Sequence, residues 1–513
     1  MRLSPPVRLL VTALCAGLLV GACQVRNAQR CQLPEFPCEG GTLCKLDPGS
    51  TVGTCADECS RSTAGALTTC PDDRPICGAD GACRACAADA ECQERGAARP
   101  RCVDKMCAAC RDSRDCGGDP LRPVCDADSH TCRPCALHGE CADHVCAKDD
   151  TLAGLTDAAP LRAGQCVPAA RQVVPDRGCT DSCLRARVLE LSPERPYLRL
   201  GGLINQTGLT LSKPLNTLPV LHVVTDTADF SPAQLATAPT VELRNGAMAA
   251  LLVNAGVDAV LEGLTFDSSI RGLECAGTAG APSATRVRVL RSLFASNTTG
   301  ITSRSCELRI EDSWLGIGPP IYGNPAVKGN ELAMDLDTTR FEIVNTVLVR
   351  NAPRFGLVGF SGIRISNTQG AAQPGRILHT TFARQDTVAN GGHAMAIDCT
   401  YNVAASLTVV NSLFLSEAPV GVNSYLAPSC RGVNVTYNGS NDPALAGPGS
   451  RTDLTYGDVF VAAPELNSPR VKASAGPLVR RGTADVTGLP ARDQAGRQRP
   501  SANAAYGAFE PEP

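Results

Sequence analysis

Asp335 and Asp337 stand two residues apart in the segment Glu331–Arg340, with Arg340 close behind and Asp398 further along the chain. On a strand, whose side chains alternate, both carboxylates would share one face. Two carboxylates roughly 5 to 10 Å apart hydrolyse a glycosidic bond, the gap setting inversion or retention. Removing a proton beside a uronate needs instead a base and a cation or basic group to neutralise the sugar carboxylate. His379 and His393 add imidazoles, which titrate near neutrality. The candidate catalytic residues are Asp335, Asp337, Asp398 and His393.

Whatever positions these groups is built from one short pattern. It reads LEGLTF (Leu261–Phe266), VLRSLF (Val289–Phe294), IEDSWL (Ile310–Leu315), IVNTVL (Ile343–Leu348), ILHTTF (Ile377–Phe382) and VVNSLF (Val409–Phe414). Copies at uneven intervals of roughly 20 to 35 residues suit one turn of a solenoid with loops of variable length. Short β-branched pieces punctuated by Gly, Asn, Ser, Thr and Pro lead up to it from Tyr197, with no amphipathic helix among them. A β-propeller would need longer and more regular blades. The expected fold is all-β: a single-stranded parallel β-helix over residues 195–460. Asn345, Asn367 and Asn411 fall between strand-like pieces and suit its corners, since Asn tolerates unusual dihedrals there.

The copy Leu407–Phe414 resembles the coil signature of the right-handed parallel β-helix superfamily that includes pectate lyases and polygalacturonases. The resemblance implies a right-handed helix whose strand faces and loops form a groove. The segment Asn390–Ala394 half resembles the glycine–histidine–glycine element of polygalacturonases, but their other acidic motifs are absent. His379 occupies the repeat position of Arg291, Asp312, Asn345 and Asn411, and so reads as a turn residue. Trp314 is the one tryptophan in a chain that is 4% aromatic, and its place in the repeat suggests packing over sugar stacking.

Of the 28 cysteines, 22 lie between Cys31 and Cys183. Cys86, Cys92, Cys102 and Cys107 form one set. Cys110, Cys116, Cys125 and Cys132 form a second, and Cys135, Cys141 and Cys146 a shorter third. Cys59, Cys70, Cys77 and Cys83 make a looser copy. Units this small need covalent staples, and two bridges per set are expected with connectivity open. The spacing resembles the cysteine-rich repeats that precede larger domains in exported proteins of myxobacteria. Zinc at Cys135, His138, Cys141 and His144, or calcium near Asp72–Asp73 and Asp126–Asp128, fits less well than disulfides and solvated turns. Cys275 and Cys306, like Cys399 and Cys430, lie about one coil apart. They are expected to pair as Cys275–Cys306 and Cys399–Cys430.

Residues 1–22 carry Arg2, Arg8 and an apolar run too short to span a membrane, the pattern of a signal peptide. Val20-Gly21-Ala22-Cys23 resembles the lipobox of bacterial lipoproteins, which implies cleavage before Cys23 and a diacylglycerol on its thiol. Gln24, rather than Asp, favours the outer membrane or cell surface. Residues 23–148 then form the cysteine-rich part, and residues 149–194 a linker and N-terminal cap closing the solenoid end. Residues 461–513 form a C-terminal cap or tail. Its Asp493–Pro500 and Tyr506–Glu510 resemble the tail of secreted β-helix proteins, including those with a choice-of-anchor type ending, although Ala505 and Tyr506 replace the usual Asp-Ile. Such a tail is expected to cover the last rung.

A net charge of −3 with 19% charged residues argues against a nucleic-acid partner. No phosphate loop, nucleophile elbow or metalloprotease motif occurs, so no cofactor is expected. The reading is a lipid-anchored envelope protein with a structural or binding role. Its partners would be the membrane, through the anchor, and a surface glycan or protein. The alternative is a polysaccharide lyase or glycoside hydrolase acting on an acidic polysaccharide in the β-helix groove.

Overall fold

Between Leu261 and Phe266 the chain leaves one sheet, turns through Gly263 and enters another. The repeated hexapeptide is thus a corner, and its third position is left-handed in all six copies. Gly263 has φ 75°, Arg291 46°, Asp312 51°, Asn345 51°, His379 46° and Asn411 52°. A single left-handed residue turns the chain from one sheet into the next without a longer loop, at a steric cost that Asn and Asp bear best. From the second copy onward a Ser or Thr follows: Ser292, Ser313, Thr346, Thr380 and Ser412. Each hydroxyl donates to the carbonyl two residues back, at 2.9–3.1 Å.

The computed structural model describes residues 30–32, 43–46, 52–56, 70–77, 83–95, 98–148, 161–176, 179, 181–201, 208–212, 220–225, 229, 241–246, 248–316, 329–349, 351, 362–368, 373–383, 396–400, 407–415, 425–427, 429–430, 432–460, 471–483, 491–500 and 503–511. The chain divides between Pro134 and Cys135 into two compact units. Among the described residues no helix is long and apolar enough to cross a membrane.

The first unit is a series of small stapled modules. Cys86–Cys102 and Cys92–Cys107 cross-link one set; Cys110–Cys125 and Cys116–Cys132 repeat the same first-to-third, second-to-fourth pattern in the next. Each set has a short hairpin, such as Arg101–Val103 with Met106–Ala108, turned by Asp104 and Lys105 at positive φ. In the second unit Cys135–Cys146 and Cys141–Cys166 continue the pattern, so the third set takes Cys166 as its fourth member. Cysteines bonded in this way are not available as zinc ligands.

Three parallel sheets, their strands counted among the described residues, wind through the rest of the second unit and make a parallel β-helix. Sheet A has ten strands, among them Asp258–Glu262, Arg286–Leu290, Glu307–Glu311, Arg340–Val344 and Gly375–Leu378. Sheet B has eight, including Leu264–Asp267, Leu293–Ala295 and Trp314–Gly316. Sheet C has seven, including Arg271–Ala276, Thr299–Arg304, Leu332–Asp337, Ile363–Ser366 and Ile397–Thr400. Inward residues stack on their counterparts one coil away. Phe266, Phe294, Leu315, Leu348, Phe382 and Phe414 are successive partners in sheet B, with Phe266 over Phe294 and Phe382 over Phe414 at 4.4 Å between ring centres. A helix at Asp181–Leu189 packs Leu184 and Val188 against Leu198 and Leu209 at the first coils. Cys275–Cys306 and Cys399–Cys430 each tie segments 31 residues apart.

Buried amides run along the corner between sheets B and C. Asn297 accepts from Ser269 N and donates to the carbonyl of Phe266. Asn330 accepts from Asn297 N and Nδ2 and donates to the carbonyl of Phe294, and Asn351 repeats the arrangement one coil on. All three are fully buried. Each of these three amides thereby satisfies backbone groups that its turn would otherwise leave unpaired. Asn345 and Asn411 do occupy corners; Asn367 instead follows a sheet C strand and is not left-handed.

The tail does more than cover a rung. Gln494 donates to the carbonyl of Ser313, Ala508 N to Thr381 Oγ1, and Gly507 N to the carbonyl of Asn411. It therefore runs along the outer face of sheet B across several coils. Trp314, Val347 and Leu413 form a second apolar core with Tyr506, Ala508 and Phe509. Trp314 is fully buried, its ring edge-on to Phe509 at 6.5 Å. His379 turns its corner as a left-handed residue, and its ring is buried under Ala505.

Glu262 is also buried, with His138 Nε2 at 2.9 Å and the guanidinium of Arg291 in contact. Burial alone would raise its carboxyl pKa, but the two basic neighbours outweigh this and hold it well below the usual range. Through His138 the third cysteine set is fastened to the solenoid.

Candidate active site

The strand registers line up Glu274, Thr302, Asp335, Arg364 and Asp398 as successive partners on the outward face of sheet C. Beside them runs a second row: Arg304, Asp337, Ser366 and Thr400. Together the two rows border an open depression of about 520 Å³, lined by Arg304, Asp335, Asp337, Arg364, Ser366, Thr368 and Thr400.

Asp335 is gripped at both oxygens. Arg364 Nε donates to Oδ1 at 3.0 Å and Nη2 to Oδ2 at 2.7 Å, a two-pronged ion pair with half-buried partners. Asp337 accepts from Thr368 N at 2.8 Å and Thr338 Oγ1 at 3.1 Å on Oδ1, and from Thr368 Oγ1 on Oδ2. Burial raises its pKa, yet these hydrogen bonds outweigh burial and hold the carboxyl below its ordinary range. Asp398 differs. It is 4% exposed, accepts from Ser429 Oγ at 3.3 Å, and among the described residues its Oδ2 has no hydrogen-bond partner. Burial pushes its pKa up, against smaller opposing effects of Ser429 and Arg364.

The structure thus brings Asp335, Asp337 and Asp398 to one sheet face. Arg340 does not join them: it opens the next strand, on sheet A, and lines a different groove. The cations at the site are Arg304 and Arg364, which the sequence reading passed over. Their only sequence signal is a shared strand position, hidden by unequal loops between coils. His393 and Cys23 lie outside the described residues.

Strand order and register define the class of protein: disulfide-stapled modules in one compact unit and a parallel β-helix in the other. No protein-family model matches the chain, and no curated protein matches it. Among solved structures it is similar to the crystal structure of pectate lyase Pel9A, at 13% identity over 67% of this chain and 97% of that one, with a TM-score of 0.28.

Proposed function

We propose that this chain is an exported protein, anchored by a lipid on Cys23 to the outer membrane or cell surface, whose β-helix presents sheet C as a binding face for a glycan or protein. The observation carrying the binding reading is the engagement of Asp335 and Asp337. All four of their carboxylate oxygens already accept hydrogen bonds. The bonds to Asp337 favour its ionised form, and the locked Asp335–Arg364 pair is a rigid recognition element. Two measurements test this. Cys23→Ser should move the protein from the membrane to the soluble fraction. A panel of acidic and neutral polysaccharides should yield neither reducing ends nor unsaturated uronate; turnover lost in Asp335→Asn would overturn the binding role.

One observation favours the alternative, turnover of an acidic polysaccharide. Asp398 has a raised pKa and an unpartnered oxygen, and in its row only Arg364 separates it from Asp335. Two rungs separate the acids by roughly 10 Å at the backbone, near the wide end of the inverting range. On that reading Asp398→Asn abolishes product formation.

A further inference from the structure

One disulfide differs from those that staple the modules and the solenoid. Cys179 and Cys183 lie 4 residues apart, whereas the other bonds among the described residues span 11 to 31. The constraint that a bond puts on the unfolded chain grows as about the 1.5 power of the loop it closes, so this one constrains roughly sixfold less than Cys86–Cys102. A bond that favours the folded chain less is held less firmly by folding and is easier to reduce. Access points the same way. Among the described residues every other disulfide has at least one buried cysteine, while Cys179 and Cys183 are both part-exposed.

The bond also sits where opening it would be felt. Cys183 is the third residue of the helix Asp181–Leu189, in a first turn whose backbone N–H groups favour a sulfur that leaves as thiolate. The next residue, Leu184, packs with Val188 on the first coils, and Cys179 rests against the same core. Arg187 reaches back from the helix to Asp176 at 3.3 Å, but Asp176 is largely exposed and such a pair holds little. We propose that Cys179–Cys183 is a redox latch on the end of the solenoid, opened by an external dithiol of the kind carried by thiol–disulfide oxidoreductases while the other disulfides stay closed. A thiolate of the dithiol attacks Sγ of Cys179, and Cys183 leaves as thiolate. The second thiol then attacks the reductant's own sulfur in the mixed bond, and Cys179 leaves. The protein gains two electrons and two protons, and the dithiol, which loses them, becomes a disulfide. Opening loosens the helix from Leu198 and Leu209 beneath it. The latch does not depend on the role assigned to the sheet C face.

The test treats the full chain with dithiothreitol in native buffer, traps free thiols with iodoacetamide at intervals and maps them by peptide mass spectrometry. Cys179 and Cys183 should be trapped about tenfold or more faster than Cys86 and Cys102, with the other mapped pairs still closed. Hydrogen exchange on the selectively reduced protein should then quicken about tenfold in the amides of Asp181–Leu189 and stay unchanged in the strand Arg340–Val344. The double variant Cys179→Ser/Cys183→Ser should fold and show the same fast exchange without reductant. Reduction of Cys179–Cys183 no faster than that of Cys86–Cys102 would overturn the proposal. So would selective reduction that leaves the helix amides as protected as before, or a double variant that fails to fold, since the bond would then be a structural staple.

Discussion

Arg499 donates to Oδ1 of Asn345 at 2.7 Å, joining the end of the chain to a corner 154 residues earlier. The same guanidinium donates to Glu510 Oε1 at 2.9 Å and to the carbonyl of Gly507 at 3.1 Å, and both members of the ion pair are buried. Removing one partner of such a pair leaves the other charge uncompensated, at about 3–5 kcal/mol. Arg499→Met is expected to lower the stability by that order, read as a lower denaturation midpoint, and to make the tail the first segment cut in limited proteolysis. An unchanged midpoint would strike the tail from the elements that stabilise the fold.

Gly507 lies tightly against sheet B. Its φ is 83°, and a Cβ there would lie 2.4 Å from Thr381 Oγ1 and 2.9 Å from Leu413 Cβ. Gly507→Ala should therefore lift the tail. Trp314 is the chain's one tryptophan and sits beneath Phe509, so its emission should shift to the red. Emission that stays at the wild-type wavelength would contradict this docking.

Acid should loosen the same contact. His379 sets Nδ1 3.1 Å from the Ala505 carbonyl and Nε2 3.2 Å from Asn411 Nδ2. The Asn411 amide is oriented by Thr483, with Nδ2 donating to its carbonyl and Oδ1 accepting from its N–H, so Nε2 must accept. Burial, then Arg499, lowers the pKa well below the ordinary 6.5. A depressed folded pKa means this stability is intact above 6.5 and lost as pH falls below it. The melting temperature should fall from about pH 7 to pH 5, and less steeply in His379→Gln. Asp312 has the opposite sign. Burial, then Glu311, pushes its pKa from 3.8 to about 6, so its stabilisation is complete below 3.8 and lost as pH rises through about 6. Asp312→Asn should stabilise the protein at neutral pH and have little effect near pH 4; a uniform shift at both would refute the assignment.

Asn330 stands in the middle of the buried amide column. Its truncation to Ala strips partners from Asn297 N and from the carbonyl of Phe294, both far from water. A loss of about 3 kcal/mol is expected, each orphaned group contributing about 1–3 kcal/mol. Thermal denaturation of Asn330→Ala beside an exposed control such as Arg185→Ala, on the helix Asp181–Leu189, gives the comparison. Equal stability of the two would mean that other groups satisfy the column.

The corner between sheets A and B is legible in the sequence because so few residue types suit a left-handed position flanked by apolar pairs. The stapling of small modules follows from cysteine density alone, and the one-coil spacing of Cys275 and Cys306 reflects a covalent bond between adjacent rungs. The amide column is not legible. Asn297, Asn330 and Asn351 are separated by loops of unequal length, so no fixed spacing marks them, and Asn367 is a plausible but different asparagine. The row Asp335, Arg364 and Asp398 is hidden for the same reason, since only the registers reveal which residue of each coil faces out. The tail motif can be recognised, but nothing local in it says that it lies along the side of sheet B. That depends on an apolar stripe, Trp314, Val347 and Leu413, whose residues also read as ordinary core.

The tail has a consequence for biogenesis. Stacked coils can add one at a time as the chain emerges, each resting on the last. The stripe on sheet B shares its core with Leu454, Tyr456, Val459, Phe460, Val471 and Val479, and this core is completed only when Tyr506, Ala508 and Phe509 arrive. A chain cut short before Asp493 would keep most of its strands and still expose a row of large apolar side chains to proteases and neighbouring molecules. The second core thus closes only when residues far along the chain reach the strands they cover.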